Sequence, residues 1–182
     1  MIRFKAKLLR PKAVKARSWN FLVLPKVASA RLPTRSATTI EGTLNGIGFK
    51  AMLEPDGQKS HWLKVPRKLR DTAEAEVGDV VQLAIKPAAR ELEPTVPADL
   101  RKALAAAPQA RAVWSDITPV ARRDWILWMV SAKTLETRAR RVENACAMLA
   151  GGKRRVCCFD RSGYYSKSFG VPEAAETGEG ES

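Results

Sequence analysis

Thr39-Ile-Glu-Gly-Thr-Leu44 and Ile47-Gly-Phe-Lys-Ala-Met-Leu53 flank the dipeptide Asn45-Gly46. Two β-prone runs around a pair of residues that accept positive φ specify a β-hairpin closed by a type I′ turn. Working outward, Ile2, Phe4, Ala6 and Leu8 alternate with Arg3, Lys5 and Lys7, the period of a half-buried strand. Trp19–Leu24, Trp62–Val65 and Val80–Lys86 supply further strands, and Pro55-Asp56-Gly57 supplies another turn. Short strands this closely spaced predict a small β-barrel over residues 1–87, because a closed sheet leaves no edge to aggregate.

An internal repeat supports the barrel. Phe21-Leu-Val-Leu-Pro-Lys26 aligns with Trp62-Leu-Lys-Val-Pro-Arg67 at an offset of 41 residues, and Thr39-Ile40 then falls on Val80-Val81. Each half reads strand, Pro-Lys/Arg, short helical turn (Val27–Leu32; Arg67–Ala75), strand. Leu63-Lys-Val-Pro-Arg-Lys-Leu-Arg70 with Val77-Gly-Asp-Val-Val81 resembles half of the double-split barrel in AbrB-type transition-state regulators. That likeness implies a dimeric DNA binder with Lys26, Arg67, Lys68 and Arg70 on phosphates.

Three prolines between Lys86 and Pro97 mark a linker, 88–96. Beyond it, 97–155 reads as a compact helical bundle. Pro97–Ala106 and a segment opened by Pro108 form two short helices. Thr118-Pro119 caps Val120–Ala132, with Ala121, Trp125, Trp128 and Ala132 on one stripe. Thr134 caps Leu135–Ala150, whose apolar stripe is Leu135, Ala139, Val142, Cys146 and Leu149, and Gly151-Gly152 stop it. Together the two blocks make an α+β protein. Residues 156–182 end in Glu173-Ala-Ala-Glu-Thr-Gly-Glu-Gly-Glu-Ser182, with almost nothing to bury, and are expected to be a disordered acidic tail.

The stretch Ala103–Pro119 and the run Ala132-Lys-Thr-Leu-Glu-Thr-Arg-Ala-Arg-Arg-Val142, with Met148-Leu-Ala-Gly-Gly-Lys153, resemble the YdeI/OmpD-associated, or bacteriocin-protection, family. The first block is similar to the small β-barrel domain of unknown function that often precedes it, through Trp19, Pro25-Lys26, Gly42-Thr-Leu-Asn-Gly46 and Gly78-Asp79. The resemblance implies a role in bacteriocin or envelope-stress tolerance and supplies no catalytic residues.

The chain of 182 residues carries 32 Lys plus Arg against 19 Asp plus Glu, a net charge of +13. No apolar run approaches the roughly 20 residues that span a bilayer, and Met1-Ile-Arg-Phe-Lys5 does not open a secretory signal, so a cytoplasmic protein is expected. Cys146, Cys157 and Cys158 suit reduced thiols. His61 is the single histidine, so a His–His metal pair cannot form within one chain, and any Ser-His-Asp triad or Cys-His dyad would have to use it. Adjacent Cys157-Cys158 fit neither a tetrahedral metal site nor a C-x-x-C redox pair. Glu74/Glu76 and Glu91/Glu93 read as solvated charge. No cofactor, metal or catalysis is expected; the function is binding to an unidentified protein partner. Its alternative is DNA or RNA binding.

For that alternative the charge is concentrated. Lys5, Lys7, Arg10, Lys12, Lys15 and Arg17 crowd the first strand and its loop. Arg138, Arg140, Arg141, Lys153, Arg154 and Arg155 crowd the end of the helical block. Such clusters are the electrostatic footprint of polyanion binding. No helix-turn-helix, zinc finger or aromatic RNA-binding motif accompanies them.

Overall fold

The computed structural model describes residues 1–13, 18–157, 159–167 and 169–176. Lys15, Arg17, Cys158 and positions 177–182 of the acidic segment lie outside the described residues. The chain divides into two units: Met1–Arg90 with Ser162–Ser182, and Glu91–Arg161.

In the first unit, β1 (Ile2–Lys7), β2 (Trp19–Val23), β3 (Thr38–Leu44), β4 (Ile47–Pro55), β5 (His61–Pro66) and β6 (Val80–Pro87) form one antiparallel sheet, with short helices α1 (Lys26–Ser29) and α2 (Arg67–Thr72). The order is β1-β6-β3-β4-β5-β2. The sheet curls into a half-barrel, and just past β1 Leu9 exchanges two backbone hydrogen bonds of 2.8 and 2.9 Å with Phe21 of β2. The β3–β4 hairpin turns as the sequence requires: Asn45 has φ 48° and Gly46 φ 84°, the positive pair of a type I′ turn. Pro25 and Pro66 sit at the N-caps of α1 and α2, one position before the first turn, with extended ψ of 139° and 149°. Leu8, Leu22, Ile40, Leu44, Leu53, Leu63, Val65 and Ile85 fill the interior and are at most 1% exposed.

The sheet contains an internal two-fold. Leu22 lies opposite Leu63 and Thr43 opposite Ala84, each pair 41 positions apart, so repeat-equivalent residues face one another. The same operation carries β1 onto β4 at an offset of 45. Ile2, Phe4, Lys5, Ala6 and Leu8 recur as Ile47, Phe49, Lys50, Ala51 and Leu53. This second offset escaped the sequence reading because the β1–β2 connection is longer than the β4–β5 connection. Both halves of the curled sheet therefore come from one chain.

The C-terminal segment is not wholly a tail. Lys12 donates its amide to the Glu173 carbonyl, and Ala175 donates to the Arg10 carbonyl, both at 2.8 Å. Pro11 and Ala174 form an antiparallel bridge, and Lys12 Nζ meets Glu173 at 2.7 Å. Backbone pairing orders this stretch without apolar side chains, which is why composition pointed to disorder.

The second unit holds α3 (Ala98–Ala105), α4 (Pro108–Asp116), α5 (Pro119–Val130) and α6 (Leu135–Ala150). The Thr118 and Thr134 hydroxyls accept from the amides of Ala121 and Thr137, closing orphan donors at 3.2 and 3.1 Å. Gly152 at φ 87° ends α6. Leu100, Trp114, Ile117, Trp125, Met129, Val142, Ala145 and Leu149 form the core. Leu135 is 87% exposed and Ala139 is exposed, so the buried stripe of α6 begins only at Val142. Trp125 is sealed, whereas Trp128 is half-buried edge-on against it, the ring centroids 6.0 Å apart. The linker carboxylates are paired: Glu91, 28% exposed, meets Arg123 at 2.8 Å, and Glu93, still 55% exposed, meets Arg122 at 2.5 Å.

Candidate functional site

The strongest chemical candidate, His61, is structural. Its side chain is fully buried; Nδ1 lies 2.7 Å from Ser29 Oγ and Nε2 lies 2.9 Å from the Ser36 carbonyl. A carbonyl only accepts, so Nε2 carries the proton and Nδ1 accepts from the Ser29 hydroxyl. Burial pushes the imidazole pKa below its ordinary value, and the Ser36 carbonyl and Asp56 partly offset this. Asp56 accepts from the amides of Gln58 and Ser60, both at 2.7 Å, and so shapes the β4–β5 turn. Among the described residues no group of three or more His, Cys, Asp or Glu side chains is placed to hold a metal ion.

A second buried charged cluster lies on α5. Arg123 and Asp124 are adjacent and 5% and 2% exposed, a pairing the helical periodicity does not announce. Asp124 Oδ2 is 3.1 Å from Arg161 Nε, within ion-pair reach but off the axis of a hydrogen bond. Burial raises the Asp124 pKa against the lowering effects of Arg161, Arg123 and Arg155.

The basic residues singled out by sequence fall into two states. In the helical unit most are engaged. Arg138 forks onto Asp99 at 2.7 and 3.1 Å, Arg140 reaches Glu136 at 3.4 Å, and Arg154 reaches Asp116 at 2.6 Å. Arg141 donates to the Trp128 carbonyl and lies over its ring, 5.4 Å from the centroid. The fork holds the Asp99 carboxyl below its usual range and raises the Arg138 pKa. Lys153 contacts Met148 Sδ at 3.9 Å, and Arg155 is exposed. In the first unit Arg67 and Arg70 share Asp71, and Arg70 also holds Asn20 at 2.9 Å. Lys26 opens α1 and is exposed; Lys68 borders an apolar groove of about 440 Å³ with Phe49 and Leu69.

Sequence reasoning counted Lys5 and Lys7 in a cluster but missed the site they belong to. The outer face of β1, β6 and β3 carries an open groove of about 650 Å³ lined by Arg3, Lys5, Thr43, Asn45, Gln82 and Ala84. Arg3 lies beside Ala84 and Lys5 beside Gln82 in the β1–β6 register. Thr43 and Ala84, the pair on the internal two-fold, form its floor. Among the described residues no carboxylate forms an ion pair with Arg3, Lys5 or Lys7. The missing signal was the β1–β4 repeat, which fixes which strand faces share a surface.

A curled antiparallel sheet followed by a helical unit defines a two-part α+β protein, with Arg3, Lys5 and Lys7 outside any ion pair among the described residues. Residues 93–152 match the family described as "Bacteriocin-protection, YdeI or OmpD-Associated", and residues 4–85 match "Domain of unknown function (DUF1905)". The two matches follow one another in the order the sequence resemblance implied. No curated protein matches this chain. Among the described residues no helix is long and apolar enough to cross a membrane.

Proposed function

We propose that the protein is a non-enzymatic, cytoplasmic binding protein that contributes to bacteriocin or envelope-stress tolerance by occupying a partner. One observation carries this reading: the side chains best suited to chemistry are spent on structure. His61 is locked between Ser29 and Ser36, and Asp124 faces Arg161. The family description of residues 93–152 supplies the tolerance context. The helices over 98–150 suit a compact bundle, and the internal two-fold suits an AbrB-like double-split barrel whose two halves lie in one chain.

The test is survival of bacterial cells that lack the chain, with and without its expression, under graded bacteriocin challenge. Rescue by the full chain and by His61→Gln alike supports a binding role. No difference between cells with and without the chain removes the tolerance reading, and loss of rescue in a folded His61→Gln variant removes the non-enzymatic one.

A further inference from the structure

We infer that the outer-face groove at Arg3, Lys5 and Gln82 is a binding site for the phosphodiester backbone of a nucleic acid. The inference rests on the reading of the chain as a binding protein and names the chemistry of one partner.

The internal two-fold shows what the fold itself requires. The inward positions of β1 and β4 are the same residues: Ile2 and Ile47, Phe4 and Phe49, Ala6 and Ala51, Leu8 and Leu53. Of the outward positions only Lys5 recurs, as Lys50, which lies opposite Glu41 in the β3–β4 register. Where the first copy has Arg3, Lys7 and Gln82, the second has Gly48, Met52 and Glu41. The same curled strand is therefore built with one outward cation, Lys50, opposite a carboxylate, whereas Arg3, Lys5 and Lys7 gather positive charge on the β1 side of the groove. Lysines on an edge strand also discourage aggregation, but that purpose needs no groove beside them.

The arrangement selects its ligand. Alternate residues of a strand lie about 6.8 Å apart, so Arg3, Lys5 and Lys7 make a comb about 14 Å long, more than one phosphate can engage. Its tooth spacing exceeds the axial rise of about 3.4 Å per phosphate of one DNA strand, and because that strand winds around the axis its successive phosphates stand farther apart than the rise, so the comb can meet neighbouring phosphates. Ala84 and Thr43 keep the floor low, and exposed Gln82 adds neutral donors. An acidic protein would want an apolar anchor at the centre. Here Phe4 and Leu83 pack toward the interior, and the outer lining is polar or small. With no outward aromatic to stack on bases, contact is with the backbone and is independent of sequence.

The experiment is fluorescence anisotropy of the full chain with three labelled probes: a mixed-sequence DNA duplex, a single-stranded RNA and a polyglutamate peptide. Salt is varied from about 50 to about 200 mM. Three phosphate contacts predict a log–log salt slope near −2.7 for duplex, and Arg3→Gln/Lys5→Gln is expected to bring it to about −0.9. Its affinity at low salt should fall at least about tenfold with an unchanged melting midpoint. Gly48→Arg places a cation across the floor at the two-fold mate of Arg3 and should steepen the slope by about 0.9.

Duplex or RNA binding with this dependence supports the site, and the stronger probe identifies its source. Absence of nucleic-acid binding at low salt, or binding that the double variant leaves unchanged, overturns it. Polyglutamate binding lost in the double variant, without nucleic-acid binding, overturns the inference while leaving the binding-protein reading intact.

Discussion

Ser29 Oγ and His61 Nδ1 stand 2.7 Å apart, both side chains fully buried, so a helical turn after β2 is tied directly to the start of β5. In the neutral imidazole, with its proton on Nε2, the Ser29 hydroxyl donates this bond; protonation would reverse it and place a charge in the interior. Burial lowers the folded-state pKa, so the unfolded chain binds a proton more readily. Stability from this site is therefore complete above the unfolded value, about 6.5, and is lost as pH falls from there toward the folded value. Chemical denaturation between neutral and mildly acid pH should show that fall in the wild type and a flatter profile in His61→Gln. Ser29→Ala, which strands the Nδ1 acceptor, should cost about 1–3 kcal/mol at neutral pH. A wild type and His61→Gln with the same pH slope would disprove the assignment.

Arg123 and Arg140 test whether burial or charge count matters in the helical unit. Arg123 has a 7% exposed side chain on Glu91, whereas Arg140 and Glu136 are 64% and 86% exposed. Removing one partner of a buried pair leaves the other uncompensated, so Arg123→Ala should cost about 3 kcal/mol. Arg140→Ala should cost less than about 0.5 kcal/mol. Denaturant midpoints followed by tryptophan emission measure both; equal losses would contradict the burial argument.

These contrasts show where sequence stops being informative. Asn45-Gly46, Thr118-Pro119 and Thr134 act locally, so their turn and caps were readable from neighbouring residues. The partners of the basic cluster were not: Arg138 meets Asp99 and Arg154 meets Asp116, each nearly forty positions away. Arg123 and Asp124 sit in a charged triplet before Trp125 that no stripe singles out, yet α5 buries both. The Lys12–Glu173 and Arg10–Ala175 pairings use backbone amides, which composition does not encode. The groove at Arg3 and Lys5 needed the sheet register before its two strands could be placed side by side.

Cys146 and Cys157 should differ in reactivity. Cys157 is exposed, while Cys146 is half-buried against the α6 core and burial raises its thiol pKa. Both access and thiolate fraction then disfavour Cys146. In a Cys158→Ser background, alkylation followed by intact mass should show one fast adduct, mapped to Cys157, and a second appearing several-fold more slowly. Matching rates would mean that the α6 face opens readily.

Gly42 and Gly48 lie on neighbouring strands and make opposite demands. A Cβ at Gly42 would stand 2.0 Å from the Ala84 carbonyl oxygen and 2.8 Å from Ile85 Cα, both backbone atoms that cannot swing aside. The close approach belongs to the β3–β6 crossing at the internal two-fold, where Thr43 faces Ala84. Gly42→Ala must part the two central strands and should cost about 3 kcal/mol. At Gly48 nothing lies within 4 Å of an added Cβ and φ is not positive, so Gly48→Ala should be neutral or mildly stabilising, by less than about 1 kcal/mol. Thermal melts of the two variants separate a glycine required by backbone contact from one merely tolerated. A mild Gly42→Ala phenotype would mean that the β3–β6 pairing can relax, and with it the floor on which the basic groove is built.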